Sequence, residues 1–271
     1  MSYINNNKAA WEEAFEHRTK GWGDDNDKLL KKEPLYFFHD DIKAELRKLD
    51  LKGKSAAQFC CNNGREILSL VQEGIKNGVG FDIAENIIEQ AKITAQNAEI
   101  KNCDFVACNI LEIPEEYNQQ FDLIFFTIGA ITWFQDLNVL FRKVADCLKP
   151  NGFMFIHDFH PLFNMLPLPN EEEFDENNLN KLAFSYFRKE PWIETSGVGY
   201  ISGEYESKVL TSYSHTMSDI INALSNNGLM TVTLSEYDYD IGLTEVYNKT
   251  GFPLSFYLLA KKYESVIQKN K

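Results

Sequence analysis

The chain has 271 residues, of which 44% are hydrophobic and 25% charged; this is the balance of a folded globular protein with one large core and excludes a disordered, collagenous or fibrous chain. Forty Asp and Glu against 27 Lys and Arg leave a net charge of −13, a field that repels phosphate backbones and anionic lipid, so nucleic acid and membrane are not expected partners. No apolar run approaches the roughly 18 residues of a membrane span, and the first eight residues lack the basic-then-apolar layout of a signal peptide, so a cytoplasmic protein is expected.

Residues 5–19 carry Ala10, Trp11, Ala14 and Phe15 at helical spacing, which predicts a short amphipathic helix. A polar loop from Gly21 to Lys28 follows; its run Asp24-Asp25-Asn26-Asp27 lacks the glycine and closing glutamate of an EF-hand loop and reads as a solvated turn. Residues 40–49, with Ile42, Leu46 and Leu49 on one face, predict a second helix. From residue 55 short apolar runs alternate with helical periods, the pattern of a parallel sheet with crossover helices. Strands are expected near 55–60, 78–82, 103–108, 121–127 and 152–158, with helices near 64–74, 84–98 and 136–148 and a helical turn near 112–117. Residues 159–213 break this rhythm with four prolines, an acidic run at Glu171 to Glu173 and an aromatic-rich segment from Phe184 to Tyr213, and read as an inserted cap. A helix near 216–227 precedes strands near 229–237 and 253–262, whose connection is too short for a crossover helix, so this pair must be antiparallel. One domain results: an N-terminal helical extension (1–50), a ligand-binding core (51–158), the cap (159–213) and a C-terminal helix with a strand hairpin (214–271).

The chemistry concentrates at strand ends. The first strand runs through Gln58 into Cys60-Cys61-Asn62-Asn63-Gly64 and straight into a helix, the place where a doubly wound sheet holds a ligand against helix amides. The second strand ends in Gly80-Phe81-Asp82, and an acidic residue about 20 positions beyond such a turn is placed to accept both hydroxyls of a ribose. At the end of the third strand, Asn109 can read the edge of an adenine, with a plain asparagine turn as the alternative. The fourth strand ends in Thr127-Ile128-Gly129-Ala130, so four strand ends converge on one cleft.

These residues resemble class I S-adenosylmethionine-dependent methyltransferases of the small-molecule type. The matching pieces are the loop Cys60 to Gly64, Gly80-Phe81-Asp82-Ile83, Asn109-Ile110, Phe121-Asp122-Leu123-Ile124 and Leu148-Lys149-Pro150-Asn151-Gly152. The resemblance implies a Rossmann-like, seven-stranded, mostly parallel α/β sheet with an antiparallel C-terminal hairpin and helices on both faces. It also implies S-adenosylmethionine as cofactor. Cys60, Cys61, Asn62 and Gly64 would then wrap its methionine part, Gln58 would accept from its ammonium, Asp82 would hold the ribose, Ile83 the adenine face, Asn109 with Ile110 the adenine edge, and Thr127 would border the site. Gln58, Cys60 and Asn62 stand where the family usually has an acidic residue and two glycines, and Asn109 where an aspartate is common. Gly64 is expected to let the backbone approach the ligand.

Cys60 and Cys61 should face opposite ways, as should His157 and Asp158, so neither pair is expected to hold a metal, with or without His160 and His215. Five cysteines on apolar stretches predict reduced thiols. For a reaction that removes a proton from its acceptor, His160 just past the fifth strand is the first candidate base and His215 the second. Trp11, Phe15 and Trp133 are expected in the acceptor pocket, under a lid made by residues 1–33 and 159–213; a homodimer interface at 184–213 is the competing use of that segment. The leading function is methyl transfer to a small-molecule acceptor by in-line displacement. The alternatives are a catalytically silent S-adenosylmethionine-binding or regulatory protein on the same fold, and a nicotinamide oxidoreductase, which the absence of a G-x-G-x-x-G loop disfavours.

Overall fold

The computed structural model describes residues 2–203 and 205–263; Met1, Glu204 and 264–271, including the end of the C-terminal segment and one cap residue, lie outside the described residues. The elements in chain order are α1 (Ser2–Glu16), α2 (Asn26–Leu30), α3 (Asp40–Lys48), β1 (Ser55–Phe59), α4 (Arg65–Gln72), β2 (Asn77–Asp82), α5 (Glu85–Asn97), β3 (Cys103–Ala107), β4 (Phe121–Thr127), α6 (Leu137–Cys147) and β5 (Leu148–Phe159). There follow β6 (Trp192–Glu194), α7 (Gly199–Ser202), β7 (Leu210–Ser212), α8 (Met217–Asn226), β8 (Leu229–Tyr237) and β9 (Ser255–Lys262).

Seven strands form one sheet in the order β3-β2-β1-β4-β5-β9-β8. The first five are parallel, whereas β9 runs antiparallel to both β5 and β8. Side-chain alternation divides this sheet between two cores. Ile124, Phe126, Met154 and Ile156 face α6 and α8, where Leu140, Phe141 and Leu224 meet them. Leu123, Phe125, Phe155 and Tyr257 face the other way, onto α3, α4 and α5 through Ile42, Leu46, Ile67 and Ala91. The reversal of the strand order beside β1 opens a crevice at the carboxyl ends, where open α/β sheets take their ligands.

Several boundaries differ from expectation. The polar loop Gly21 to Lys28 already turns into α2 at Asn26, because Asn26 and Leu30 find burial there. The turn expected near 112–117 is two 3-10 turns, Ile110–Glu112 and Glu115–Tyr117. Strand β5 starts at Leu148 instead of 152: Asn151 takes a left-handed φ of 63° and the pairing with β4 shifts between Phe121 and Leu123, so Pro150 fits without a ladder bond. The cap is largely irregular apart from α7 and the two-stranded sheet of β6 and β7.

Candidate cofactor and acceptor site

Beyond Phe59 the chain turns through three left-handed residues, Cys60 (φ 56°), Asn62 (φ 49°) and Gly64 (φ 74°). Asparagine visits this region readily, but a side-chain-bearing Cys60 costs ~1–2 kcal/mol there. The loop is held by its neighbour strand: Cys61 N–H donates to Phe81 O at 2.9 Å, and Asn62 N–H donates to Asp82 Oδ2 at 2.8 Å. Cys61 is fully buried in the core while Cys60 is half-buried against the other face, so the two cysteines do diverge. Burial and the Asp82 carboxylate push the Cys60 thiol well up, which keeps it protonated.

Gly64 makes the close turn from β1 into α4 with its left-handed φ, and its neighbours add a second reason for a glycine. A Cβ there would lie 2.3 Å from the Phe105 ring and 3.2 Å from Ala91 Cβ, so the glycine admits β3 and α5 against the start of α4. Gln58 departs from expectation. Its Oε1 accepts from Ile67 N–H at 3.1 Å and its Nε2 donates to Thr127 Oγ1 at 2.9 Å. With 1% of its surface exposed, Gln58 fixes the start of α4 to the end of β4, and its acceptor is already engaged within the chain.

Asp82 closes β2. Its Oδ1 accepts from Ala84 N–H at 3.1 Å, opposite the bond to Asn62, so the carboxylate ties two turns together. Burial raises its pKa, and the backbone donors pull the other way. Ile83, Cys108 and Asn109 line a cleft of about 310 Å³ that Ile4, Asn5 and Lys8 of α1 border from the far side. Asn109 Oδ1 accepts from Leu111 N–H at 3.1 Å, fixing the amide at the cleft. Ile110 does not share that surface: its side chain is 3% exposed and packs in the core, since the 3-10 turn beginning there rolls it inward.

The N-terminal helix and the cap meet over this crevice. Asn7 exchanges two hydrogen bonds of 2.8 Å with the backbone of Thr211, and Trp11 meets Trp133 edge-on at 5.4 Å. Phe15 sits against Trp22 at 6.2 Å, and both Trp11 and Trp22 lie 6.5 Å from Tyr200. Tyr200 belongs to the cap segment 159–213 that was expected to form part of the lid. Its hydroxyl accepts from the Asn62 amide at 3.1 Å, and its charge environment includes Arg65, Asp82 and Glu66. The surrounding protein pushes its phenol up although the ring is 57% exposed, the combination of a side chain that lines a cleft.

A second cavity, of about 390 Å³, continues the crevice past Thr127 and Ile128 to His157, under the segment Tyr36 to His39. Arg65 and Glu66 form its wall, paired Nε to Oε1 at 2.8 Å, and Arg65 lies under the Phe37 ring at 5.3 Å. Their place directly after Gly64, on the first turn of α4, is the sequence signal that locates them. On the opposite face of β5, Asp158 accepts from Gly129 N–H at 2.5 Å and from Phe159 N–H at 2.8 Å, bracing the turn after β4. Burial lifts this carboxyl to about 6.

Neither candidate base stands free. His160 caps a 3-10 turn, its Nδ1 accepting from Leu162 N–H at 3.1 Å, while its Nε2 lies 2.8 Å from Glu236 on β8, the outermost strand. His215 Nε2 is 2.8 Å from Phe134 O, beside the approach to α6, and burial lowers its pKa. Both rings are spent on the chain itself: His160 caps the turn after β5, and His215 holds the Phe134 carbonyl while Thr216 caps α8. Among the described residues, no cluster of three His, Cys, Asp or Glu side chains has an arrangement for a metal ion, and no helix is long and apolar enough to cross a membrane.

A carboxyl-edge crevice with an acidic strand end, a tight loop into a helix and an asparagine-lined cleft defines a nucleotide-type ligand site on a doubly wound sheet. Residues 52–201 match the family model described as "Methyltransferase domain", and the chain belongs to that family. It is 30% identical over 128 residues to a demethylmenaquinone methyltransferase of Lactococcus lactis, covering 45% of this chain and 50% of that protein. It is 24% identical over 106 residues to a ubiquinone biosynthesis O-methyltransferase of Neisseria meningitidis, covering 39% and 44%. The chain thus spans about half the length of the curated relatives it matches. The structure superposes on an S-adenosylmethionine dependent methyltransferase from Mesorhizobium loti with a TM-score of 0.61 at 16% identity, over 86% of this chain and 99% of that one.

Proposed function

We propose that this protein transfers a methyl group from S-adenosylmethionine to a small-molecule acceptor by in-line displacement. The observation that carries the reading is the doubly anchored Asp82 beside the left-handed loop and the Ile83–Asn109 cleft, within the segment that matches the methyltransferase family. The residues fit the cofactor. A carboxylate at the end of β2 suits ribose hydroxyls, Ile83 and Asn109 offer an apolar face and an amide to an adenine, and the loop from Cys60 to Asn63 turns past Asp82 towards Thr127. When bound, S-adenosylmethionine supplies a methyl carbon on cationic sulfur; an acceptor lone pair bonds to that carbon as the carbon–sulfur pair returns to sulfur, and the acceptor's proton leaves. The chain's own work is to hold two reactants in line and exclude water, which accounts for about 7–11 kcal/mol in well-oriented systems.

The aromatic layer of Trp11, Trp133 and Tyr200 suits the water-excluding role. One curated relative is named for demethylmenaquinone and another for ubiquinone biosynthesis, which supports a cyclic organic acceptor for this chain too. Calorimetry with S-adenosylmethionine, followed by transfer of radiolabelled methyl to a cytosolic metabolite extract, tests the proposal. Binding and a labelled product are expected. Absence of binding overturns the cofactor assignment, and binding without turnover converts the reading to a silent binding protein.

A further inference from the structure

The most exposed large apolar side chains among the described residues both stand in the cap: Phe187 at 71% and Ile193 at 67%, with Leu182 also open at 46%. Single exposed apolar residues are ordinary, but these share the stretch 182–193 with Phe184, Tyr186, Arg188 and Trp192. Aromatic residues and arginine are what protein–protein interfaces concentrate at their centres. The stretch is braced from within. Phe184 meets Trp192 edge-on at 5.0 Å, and the Arg188 guanidinium lies 3.9 Å over the Trp192 ring. Arg188 also donates to Glu190 O at 3.0 Å and to Pro191 O at 3.2 Å. Side chains already held in place lose little entropy when a partner docks on them.

Charge is laid out along this patch with opposite signs at its two ends. At one end lies the acidic run Glu171, Glu172, Glu173, Asp175 and Glu176. Lys181 Nζ donates to Glu173 O at 3.2 Å, which brings the run against Leu182. Burial and the Glu171 carboxylate hold the Glu194 carboxyl above its usual range, so the run also lies beside β6. At the other end Arg188 and Lys189 are adjacent, and Lys189 meets Asp219 at 3.5 Å with 71% of its side chain still exposed. A twofold axis sets two such patches antiparallel, so the acids of one copy face the bases of the other. With a net charge of −13, most of the surface repels a second copy of the chain, and here like meets unlike. The same acids oppose an anionic bilayer, which draws basic surfaces.

We propose that residues 171–193 of the cap form a self-complementary interface with a second copy of this chain, burying Phe187 and Ile193 and setting Glu172 and Glu173 of each copy against Lys189 of the other. The interface goes beyond the methyl-transfer reading and does not depend on it. Val198, Ile201 and Leu210 of the same cap are buried with α1, so covering the crevice and pairing two copies use different faces of the cap.

The experiment is sedimentation velocity of the full chain over a concentration series, with native mass spectrometry of mixed variants. The unmodified chain is expected to sediment as a dimer. Phe187→Ser, changed at a side chain that supports no core, should raise the dimer dissociation constant about tenfold with the melting temperature unchanged. Lys189→Glu should weaken the homodimer about tenfold, and so should Glu172→Lys combined with Glu173→Lys, because like charges then meet at both ends. Mixed together, these two variants should pair with each other in excess over either homodimer, since only the mixed pair matches acid to base twice. A chain that stays monomeric at about 100 μM, a dimer indifferent to Phe187→Ser, or charge variants with no preference for each other overturns the interface. Phosphatidylglycerol vesicles that pellet a monomeric unmodified chain but not Phe187→Ser assign the patch to a lipid surface and overturn it as well.

Discussion

His157 and Asp158 are neighbours on β5 with opposite titration behaviour, since each is buried on its own face of the strand. The His157 imidazole is lowered from 6.5 to about 4, so the unfolded chain binds its proton first as pH falls. Stability from this group is therefore present above 6.5 and lost as pH drops towards 4, by up to ~3 kcal/mol. Asp158 is raised from 3.8 to about 6, so the folded chain binds that proton more tightly. Its contribution is present at low pH and lost as pH rises from about 4 to 6, by a similar ~3 kcal/mol. Between pH 4 and 6 the two slopes oppose. Melting temperatures across that interval should rise with pH in Asp158→Asn, where only His157 titrates, and fall with pH in His157→Gln; equal slopes in both variants would show that other groups control this range. Asp82 gives a second test at this scale. Asp82→Ala removes the carboxylate proposed to hold the ribose together with its tie to Asn62, and is expected to weaken S-adenosylmethionine by about 1.5–3 kcal/mol in calorimetry with the fold retained. An unchanged dissociation constant would remove Asp82 from the site.

The turn from β1 into α4 is where an element's geometry decides the site. A Cβ at Gly64 meets Phe105 and Ala91, and φ is 74°, so Gly64→Ala should cost about 1–3 kcal/mol of stability in denaturant melts. Phe105→Leu in the same chain removes the nearest ring atoms and should recover part of that loss, leaving the backbone term; no recovery would place the clash elsewhere. Gly64→Val, with a branched side chain, should displace the loop and lose cofactor binding as a consequence. The difference between this account and the sequence expectation is instructive. That a glycine was needed at 64 is legible in a strand-turn-helix pattern, but which neighbour demands it depends on β3, far away in sequence. The core strands and helices, and Asp82 at its strand end, were legible because period-two and helical patterns record burial directly, and the reversed hairpin because its connection is too short for a crossover helix. The engagement of Gln58 by Ile67 and Thr127, and of His160 by Leu162 and Glu236, was not, because a polar residue's partners come from tertiary placement. Tyr200 was legible as an aromatic of the cap, but its hydrogen bond from Asn62 was not, for the same reason.

At the scale of the molecule, the sheet is a rigid floor and the cover is assembled from two distant parts of the chain. Helix α1 carries Ile4, Asn5 and Lys8 to the Ile83–Asn109 cleft and Trp11 to Trp133, while the cap carries Tyr200 to Asn62. Their joint is Asn7, 5% exposed, whose amide donates to Thr211 O and accepts from Thr211 N–H. The small cluster of Ala10, Ala14, Val198, Ile201 and Leu210 joins α1 to the cap and is separate from the two cores of the sheet, so this cover is the segment best suited to open separately from the sheet. Asn7→Ala leaves two buried backbone groups of Thr211 unpaired and should lower the local opening free energy by roughly 2–4 kcal/mol. Hydrogen exchange is the direct measure. In the variant, exchange should accelerate together in residues 2–16 and 198–212 and stay unchanged in β1, β4 and β5. In the unmodified protein, S-adenosylhomocysteine should slow exchange in residues 2–16, because ligand in the cleft bridges α1 to the sheet. If α1 and the cap respond independently to Asn7→Ala, they are two elements and not one cover. Exchange in α1 that ignores a ligand shown to bind would remove it from the site, leaving the cap alone to close over the crevice.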